Sequence, residues 1–313
     1  MPGRARILLW SAVIALLILL PPVAEALNQT FYVDLLRRVM IFAIAAASLN
    51  LILGYGGMIS FGHAAYLGIG AYAVGILAFH GVDSGWMQWG TAIAASAVVA
   101  AVIGAVSIRT SGIYFIMITL AFTQMLYYLG MSLEVYGRDD GMRIKTHSQL
   151  WGLIDLADPV SFYYLVLALM LASLYLVHRL ANSRFGMVLR AAKSNEARSR
   201  AIGFSPYLYR LAAFVIAGAL CGLAGALLAN HTAYISPDFM HWTRSGEIMF
   251  MVILGGIATT AGPLFGAFTL LVLETLLAGW TEHWQVYLGP LLILSVIFFR
   301  RGLAGILPGA RDA

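Results

Sequence analysis

Between Met40 and Phe79 the only titratable side chains are His63 and three tyrosines; no Asp, Glu, Lys or Arg interrupts the run. About 20 apolar residues suffice to cross a bilayer core, so this stretch is long enough for two membrane spans. A break is expected between them, around Gly54-Tyr55-Gly56-Gly57. Similar apolar units follow at about 88–108, 112–130, 161–180, 211–230 and 286–299, with a second broken pair over 247–281 interrupted at Gly255-Gly256 and Gly262-Pro263. Charged residues make up 11% of the 313-residue chain, against roughly 25% in soluble domains. The 32 glycines suit closely packed membrane helices, where small residues let backbones approach. The single cysteine, Cys221, excludes an intrachain disulfide and reads as a small buried residue.

The expected fold is therefore an all-α membrane protein, one transmembrane domain over residues 1–313. It is a polytopic helical bundle of about ten spans, with two Gly-broken segments. Arg4 and Arg6 precede an apolar run over 7–20, and Ala24-Glu25-Ala26 follows. That is the outline of a secretory signal as well as of a first span, and cleavage would reduce the count to nine.

Orientation comes from residues 181–210. Arg184, Arg190, Lys193, Arg198, Arg200 and Arg210 stand there against Glu196 alone, an excess as large as the net charge of +5 on the whole chain. Lys and Arg near span ends stay on the cytoplasmic side. This places both termini, Arg109, Arg300, Arg301 and Arg311 in the cytoplasm, and loops 131–160 and 231–246 outside. Arg37 and Arg38 fall outside and violate the rule. The two external loops carry aromatic residues among turn residues, as parts of a small cap would.

The breaks, 51–72 and 251–268, share a pattern of apolar helix, paired glycines, hydroxyls and a small-residue helix. Interrupted backbone at membrane depth is tolerated where it is buried in protein or lines a wet cavity. Paired interruptions point to a translocation path; tight interhelical turns are the plainer reading. Gly218, Gly222 and Gly225 form one small-residue face, and Gly262 with Gly266 another.

The sequence contains no GxxxxGK[ST], HExxH, CxxC or GxSxG, so no catalytic residue, metal site or cofactor is assigned. Nor does a basic patch with interleaved aromatics suggest nucleic acid. Ionisable residues within spans are His63, Glu274 and, at an edge, Glu247. His63 reads first as a packed, hydrogen-bonded residue at a helix break, and Glu274 as facing a partner helix; an ion-coupling role is the sharper alternative. The sequons at Asn28 and Asn230 are short enough to arise by chance.

Four stretches carry a family resemblance: SLNLILGYGGMISFGHAAYLGIGAYA (48–73), SGIYFIMITLAF (111–122), residues 183–227, and ISPDFMHWTRSGEIMFMVILGGIATTAGPLFGA (235–267). In this order they resemble LivM-type permeases of branched-chain amino acid ABC importers. The resemblance implies a subunit of the bacterial inner membrane that pairs with a second homologous permease chain. Two ATP-binding cassette subunits would supply ATP hydrolysis, and an external solute-binding protein would deliver the solute. It implies ATPase coupling through Arg190, Lys193, Asn195, Glu196, Ala197, Arg198, Arg200 and Gly203, with a short helix at about 194–203. Glu196-Ala197 followed by Gly203 is reminiscent of the EAA loop of such permeases but departs from its spacing. A path would run along Gly56, Gly57, Ser60, His63, Gly255, Gly256, Thr259 and Thr260. Arg138, Asp139, Asp140 and Arg143 would meet the binding protein. A stand-alone secondary transporter or channel for a small polar solute is the competing class, resting on His63 and Glu274. A membrane enzyme is a distant third.

Overall fold

The structure, a computed structural model, describes residues 2–26, 29–144, 146, 148–149, 156, 158–281, 283–298 and 302–306. Asn28, Arg300, Arg301 and Arg311, and part of the 131–160 loop, lie outside the described residues.

The chain is helical nearly throughout. In order come α1 (Pro2–Ala26), α2 (Thr30–Asn50) with a π-helical extension (Leu51–Tyr55), α3 (His63–Phe79), α4 (Gly85–Ser107) and α5 (Ile113–Ser132). Then follow β1 (Met142–Arg143), α6 (Pro159–Ala181), α7 (Arg184–Ser194), α8 (Glu196–Ala201), α9 (Pro206–Thr232), β2 (Tyr234–Ile235), α10 (Trp242–Gly255), α11 (Gly262–Ala278) and α12 (Trp284–Phe298). Among the described residues five helices are long and apolar enough to cross a membrane: α2 with its extension, α4, α5, α6 and α9. Shorter apolar helices cover Ser11–Glu25, His63–Phe79, Gly262–Ala278 and Trp284–Leu294.

Helix α9 is the axis of the bundle. Its small-residue face admits two neighbours, α3 and α4, on which it packs most extensively. A side chain at Gly225 would run into the backbone of Leu67 on α3, and one at Gly222 into Ser96 on α4. The dispersion gained by such close approach substitutes for a hydrophobic driving force that lipid cannot supply. Helix α2 is buried over nearly its whole length, between α6, α9 and α11. In contrast, α5 sits at the periphery, with Ile113, Tyr114, Met117, Met125 and Tyr128 exposed.

Helix α1 contains Pro21 and Pro22. Proline has no N–H to give the carbonyl four residues earlier, which leaves the Leu17 and Ile18 oxygens without their helical donors. Tyr163 and Tyr164 of α6 supply the missing bonds, their hydroxyls donating to Leu17 O at 2.8 Å and Ile18 O at 3.0 Å. Two adjacent tyrosines thus answer two adjacent prolines, fastening α1 to α6.

Two expectations shift. The second span begins at Thr30 rather than near residue 40, so Arg37 and Arg38 lie within α2 instead of in a loop. Each has a carboxylate partner: Arg37 pairs with Asp34 at 2.6 Å and Arg38 with Glu274 of α11 at 3.1 Å. These pairs give both guanidinium groups a counter-charge within the bundle. The basic stretch 181–210 is also largely helical, forming α7, α8 and the start of α9.

At the Thr232 end of α9, strands β1 and β2 pair antiparallel, Met142 opposite Ile235 and Arg143 opposite Tyr234. The loops expected to form a cap therefore meet. Beneath them Ser148 donates through its N–H and its hydroxyl to Asn230 Oδ1, at 3.1 and 2.8 Å. Asn230 is buried in this network, which explains that sequon as structural.

Candidate translocation and coupling site

Residues 56–62 form the first break, and 256–261 the second. The first leaves the π-helical end of α2, where Gly57 N–H and Met58 N–H bond back to Leu53 O and Ile52 O, and returns to start α3 at His63. Its backbone is satisfied by side chains from elsewhere. Phe61 N–H donates to Thr119 Oγ1 of α5 at 3.2 Å. Thr123 of α5 and Ser245 of α10 both donate to Phe61 O, at 3.0 and 2.7 Å. Ser245 Oγ also accepts from Ala64 N–H at 2.9 Å. This is how interrupted backbone survives where water does not reach.

The second break turns on Gly256 at φ 118° and Ala258 at φ 60°, a left-handed conformation that costs a non-glycine residue about 1 kcal/mol. One amide from outside grips its main chain. Asn50, at the end of α2, accepts from Ala258 N–H at 2.9 Å and donates to Thr259 O at 2.8 Å. The Thr259 hydroxyl donates to Gly256 O at 2.7 Å and accepts from Gly262 N–H at 3.1 Å. Thr260 Oγ1 lies 3.0 Å from His178 Nδ1 of α6.

The residues expected along a path therefore divide. Gly255, Gly256, Thr259 and Thr260 belong to the second break, held against Asn50 of α2 and His178 of α6, while Gly56 and Gly57 line a concavity bordered by Phe115 and Arg210, Gly57 also lying against Lys193 of α7. Ser60 and His63 lie apart from them, on the α3 side. Ser60 is buried and accepts from Gly62 N–H. His63 is packed edge-on to Tyr66 with centroids 5.8 Å apart, fully buried. It departs from the expected hydrogen-bonded histidine: neither ring nitrogen has a partner among the described residues.

The expected coupling residues all fall on α7, α8 and their flanks. Ser183 caps α7 and Asn195 caps α8, its Oδ1 accepting from Arg198 N–H at 2.9 Å. Gly203 follows α8 at φ 94°, the left-handed turn that closes many helices. Ala197, Arg198, Arg200 and Gly203 are exposed, and Arg190 is half-buried. Arg210 of α9 clamps the unit, donating to Glu196 Oε2 at 2.7 Å and to Ala192 O at 3.2 Å. Burial works against the Glu196 charge. The hydrogen bonds and attraction of Arg210 and then Arg200 outweigh it, holding the carboxyl below its usual range.

Two concavities open beside this unit. One, about 110 Å³, is lined by Gly56, Gly57, Met58, Phe115 and Arg210, directly against the first break. The other, about 540 Å³, lies among Arg109, Ser111, Glu196, Arg200 and Arg210. Arg210 borders both.

Arg138, Asp139, Asp140 and Arg143 gather at the β1–β2 cap, exposed. Arg138 pairs with Glu134, and Asp140 O accepts from the Tyr234 hydroxyl. Sequence reasoning missed Asn50, Thr119, Thr123, His178 and Ser245. Asn50 alone left a signal, as an amide inside an otherwise apolar run. The hydroxyls left none, because Ser and Thr also occur in spans bonded to their own helix.

Broken helices tied to a basic helical pair at one end of a bundle define the class: a multispan membrane permease. The chain belongs to the family described as branched-chain amino acid transport system / permease component, whose model matches residues 31–299. It is 28% identical over 294 residues to the high-affinity branched-chain amino acid transport system permease protein LivM of Salmonella typhimurium, and to LivM of Escherichia coli to the same extent. Each alignment covers 87% of this chain and 69% of the relative. It is 24% identical to LivH of Escherichia coli, covering 84% of this chain and 91% of that one. No solved structure matches it.

Proposed function

We propose that the chain is the membrane-spanning subunit of an ATP-binding cassette importer for branched-chain or related amino acids. The family match over residues 31–299 carries this reading. A second, homologous permease chain pairs with it, as the likeness to both LivM and LivH supports. Two ATPase subunits lie in the cytoplasm, one of them receiving the short helix of this chain at about 194–203 in a groove, and a solute-binding protein docks on the β1–β2 cap around Arg138, Asp139, Asp140 and Arg143.

In this reading the chain crosses a bacterial inner membrane about ten times with both termini inside. Helix α1 is retained as the first crossing, held by the Tyr163–Leu17 and Tyr164–Ile18 bonds. Solute affinity resides mainly in the binding protein, and the breaks line the path. ATP drives alternating access because it binds the inward- and outward-facing states unequally. The pairing of Glu274 with Arg38 gives that carboxylate a structural role and weakens the ion-coupled alternative.

The test is a mild-detergent pull-down from the native membrane, followed by uptake assays in liposomes. Co-purification of an ATPase and a second multispan chain, with uptake that requires ATP, is the expected result. A chain that purifies alone and moves solute without ATP sinks the proposal.

A further inference from the structure

The Lys193 ammonium crosses from α7 to the first break and donates to Gly54 O at 2.8 Å. That carbonyl lies in the π-helical end of α2, where the main chain leaves the helix and helical donors run out. The Lys193 stem lies along Gly57, so close that a Cβ there would stand 2.8 Å from Lys193 Cγ. Gly54 in turn lies against the second break: a Cβ on it would be 2.7 Å from Ala258 N. Asn50, one turn earlier, grips Ala258 and Thr259. At its other end Lys193 belongs to α7, which Arg210 of α9 joins to α8 by binding both Ala192 O and Glu196.

We propose that Lys193 is a positioning residue that carries displacement of α7–α8 into both breaks at once, through Gly54 to the first and through Asn50 to the second. Its positive charge is therefore more than a marker of the cytoplasmic side. A point-charge donor on a flexible stem holds one carbonyl while the helix beneath it tilts. The proposal rests on the reading that an ATPase subunit moves α7–α8.

The test uses the intact complex in liposomes, carrying Ile257→Cys as a probe. Ile257 is an exposed residue of the second break, and the native Cys221 is buried. In this parent, ATP is expected to change the rate at which a maleimide labels residue 257. Lys193→Met keeps the stem and removes the donor. It should leave the ATPase subunits bound and hydrolysing ATP, abolish the ATP-dependent change in labelling, and lower uptake at least about tenfold, the factor for one lost charge-assisted hydrogen bond. Lys193→Arg, which restores a donor with reach, should recover most of the uptake and the labelling response.

Uptake by Lys193→Met at the parent rate overturns the proposal. So does loss of the ATPase subunits from that variant, since Lys193 would then be a docking residue. If ATP leaves labelling unchanged in the parent and no ATPase co-purifies, the importer reading falls and this proposal with it.

Discussion

The two breaks share a sequence pattern and are held to different degrees. The first is satisfied from outside, with Thr119, Thr123 and Ser245 arriving from α5 and α10 to bond Phe61. The second relies on its own Thr259, on Asn50, which bonds its main chain, and on His178, which meets Thr260. The first is thus redundant, because Phe61 O has two donors, and it binds several helices together. The second is a hairpin whose main chain is gripped from outside by Asn50 and steadied by His178 through Thr260, with Ile257 exposed at its tip. Glycine pairs permit a break; its neighbours decide how firmly it is fixed.

If that contrast is right, Asn50→Leu damages stability more than loss of any one hydroxyl around the first break. It strands Ala258 N–H and Thr259 O together; an unpaired group costs about 1–3 kcal/mol when buried, and these two, half-buried, fall toward the lower part of that range. A loss of about 3 kcal/mol is expected, read as a fall of about 6 °C in the unfolding midpoint of the detergent-solubilised protein. A midpoint within about a degree of the parent's would show that the second break is held by something else.

The redundancy of the first break predicts a smaller and non-additive response. Thr123→Val should cost well under about 1 kcal/mol, because Ser245 still serves Phe61 O, and Ser245→Ala about 1 kcal/mol, because it also leaves Ala64 N–H without its acceptor. The double variant should exceed the sum of the singles, at about 2 kcal/mol, since groups sharing one partner couple. Equal and additive losses in a double-mutant cycle would make the two breaks alike after all.

The same contrast marks what was legible in the sequence. Spans and breaks were readable because apolar run length and glycine pairs are local properties. The small-residue face at Gly218, Gly222 and Gly225 was readable for the same reason, and it meets α3 and α4. The cap pairing was suggested only by character, and its register is a tertiary fact. What satisfies a broken backbone was illegible. Asn50 and Ala258 are 208 positions apart, Phe61 and Ser245 are 184 apart, and neither spacing has a period. The partner of Arg38 was illegible in the same way, since Glu274 lies 236 positions from it, whereas Arg37 pairs with Asp34 only three positions away. The Pro21-Pro22 pair announced two freed carbonyls, but only the fold shows that Tyr163 and Tyr164 answer them.

The smallest expected effect concerns that Arg38–Glu274 pair, which joins the two broken spans a second time. Asn50 links α2 to the second break directly, and Arg38 links α2 to α11, the helix leaving that break. Both side chains are partly exposed, at 32% and 19%, so the pair is not sealed in the core and the penalty for breaking it is moderate. Glu274→Gln should cost about 1 kcal/mol, because it leaves the Arg38 guanidinium half-buried and without its counter-charge. Arg38→Met with Glu274→Leu removes both charges and should return the midpoint to within about 1 °C of the parent's, since apolar replacement of a buried pair is often neutral. Uptake separates tie from coupling group: a structural pair predicts that the double variant transports at near the parent rate at every pH tested. A double variant as stable as its parent but inactive would make Glu274 part of the transport cycle, and the second link between the broken spans would be its working element.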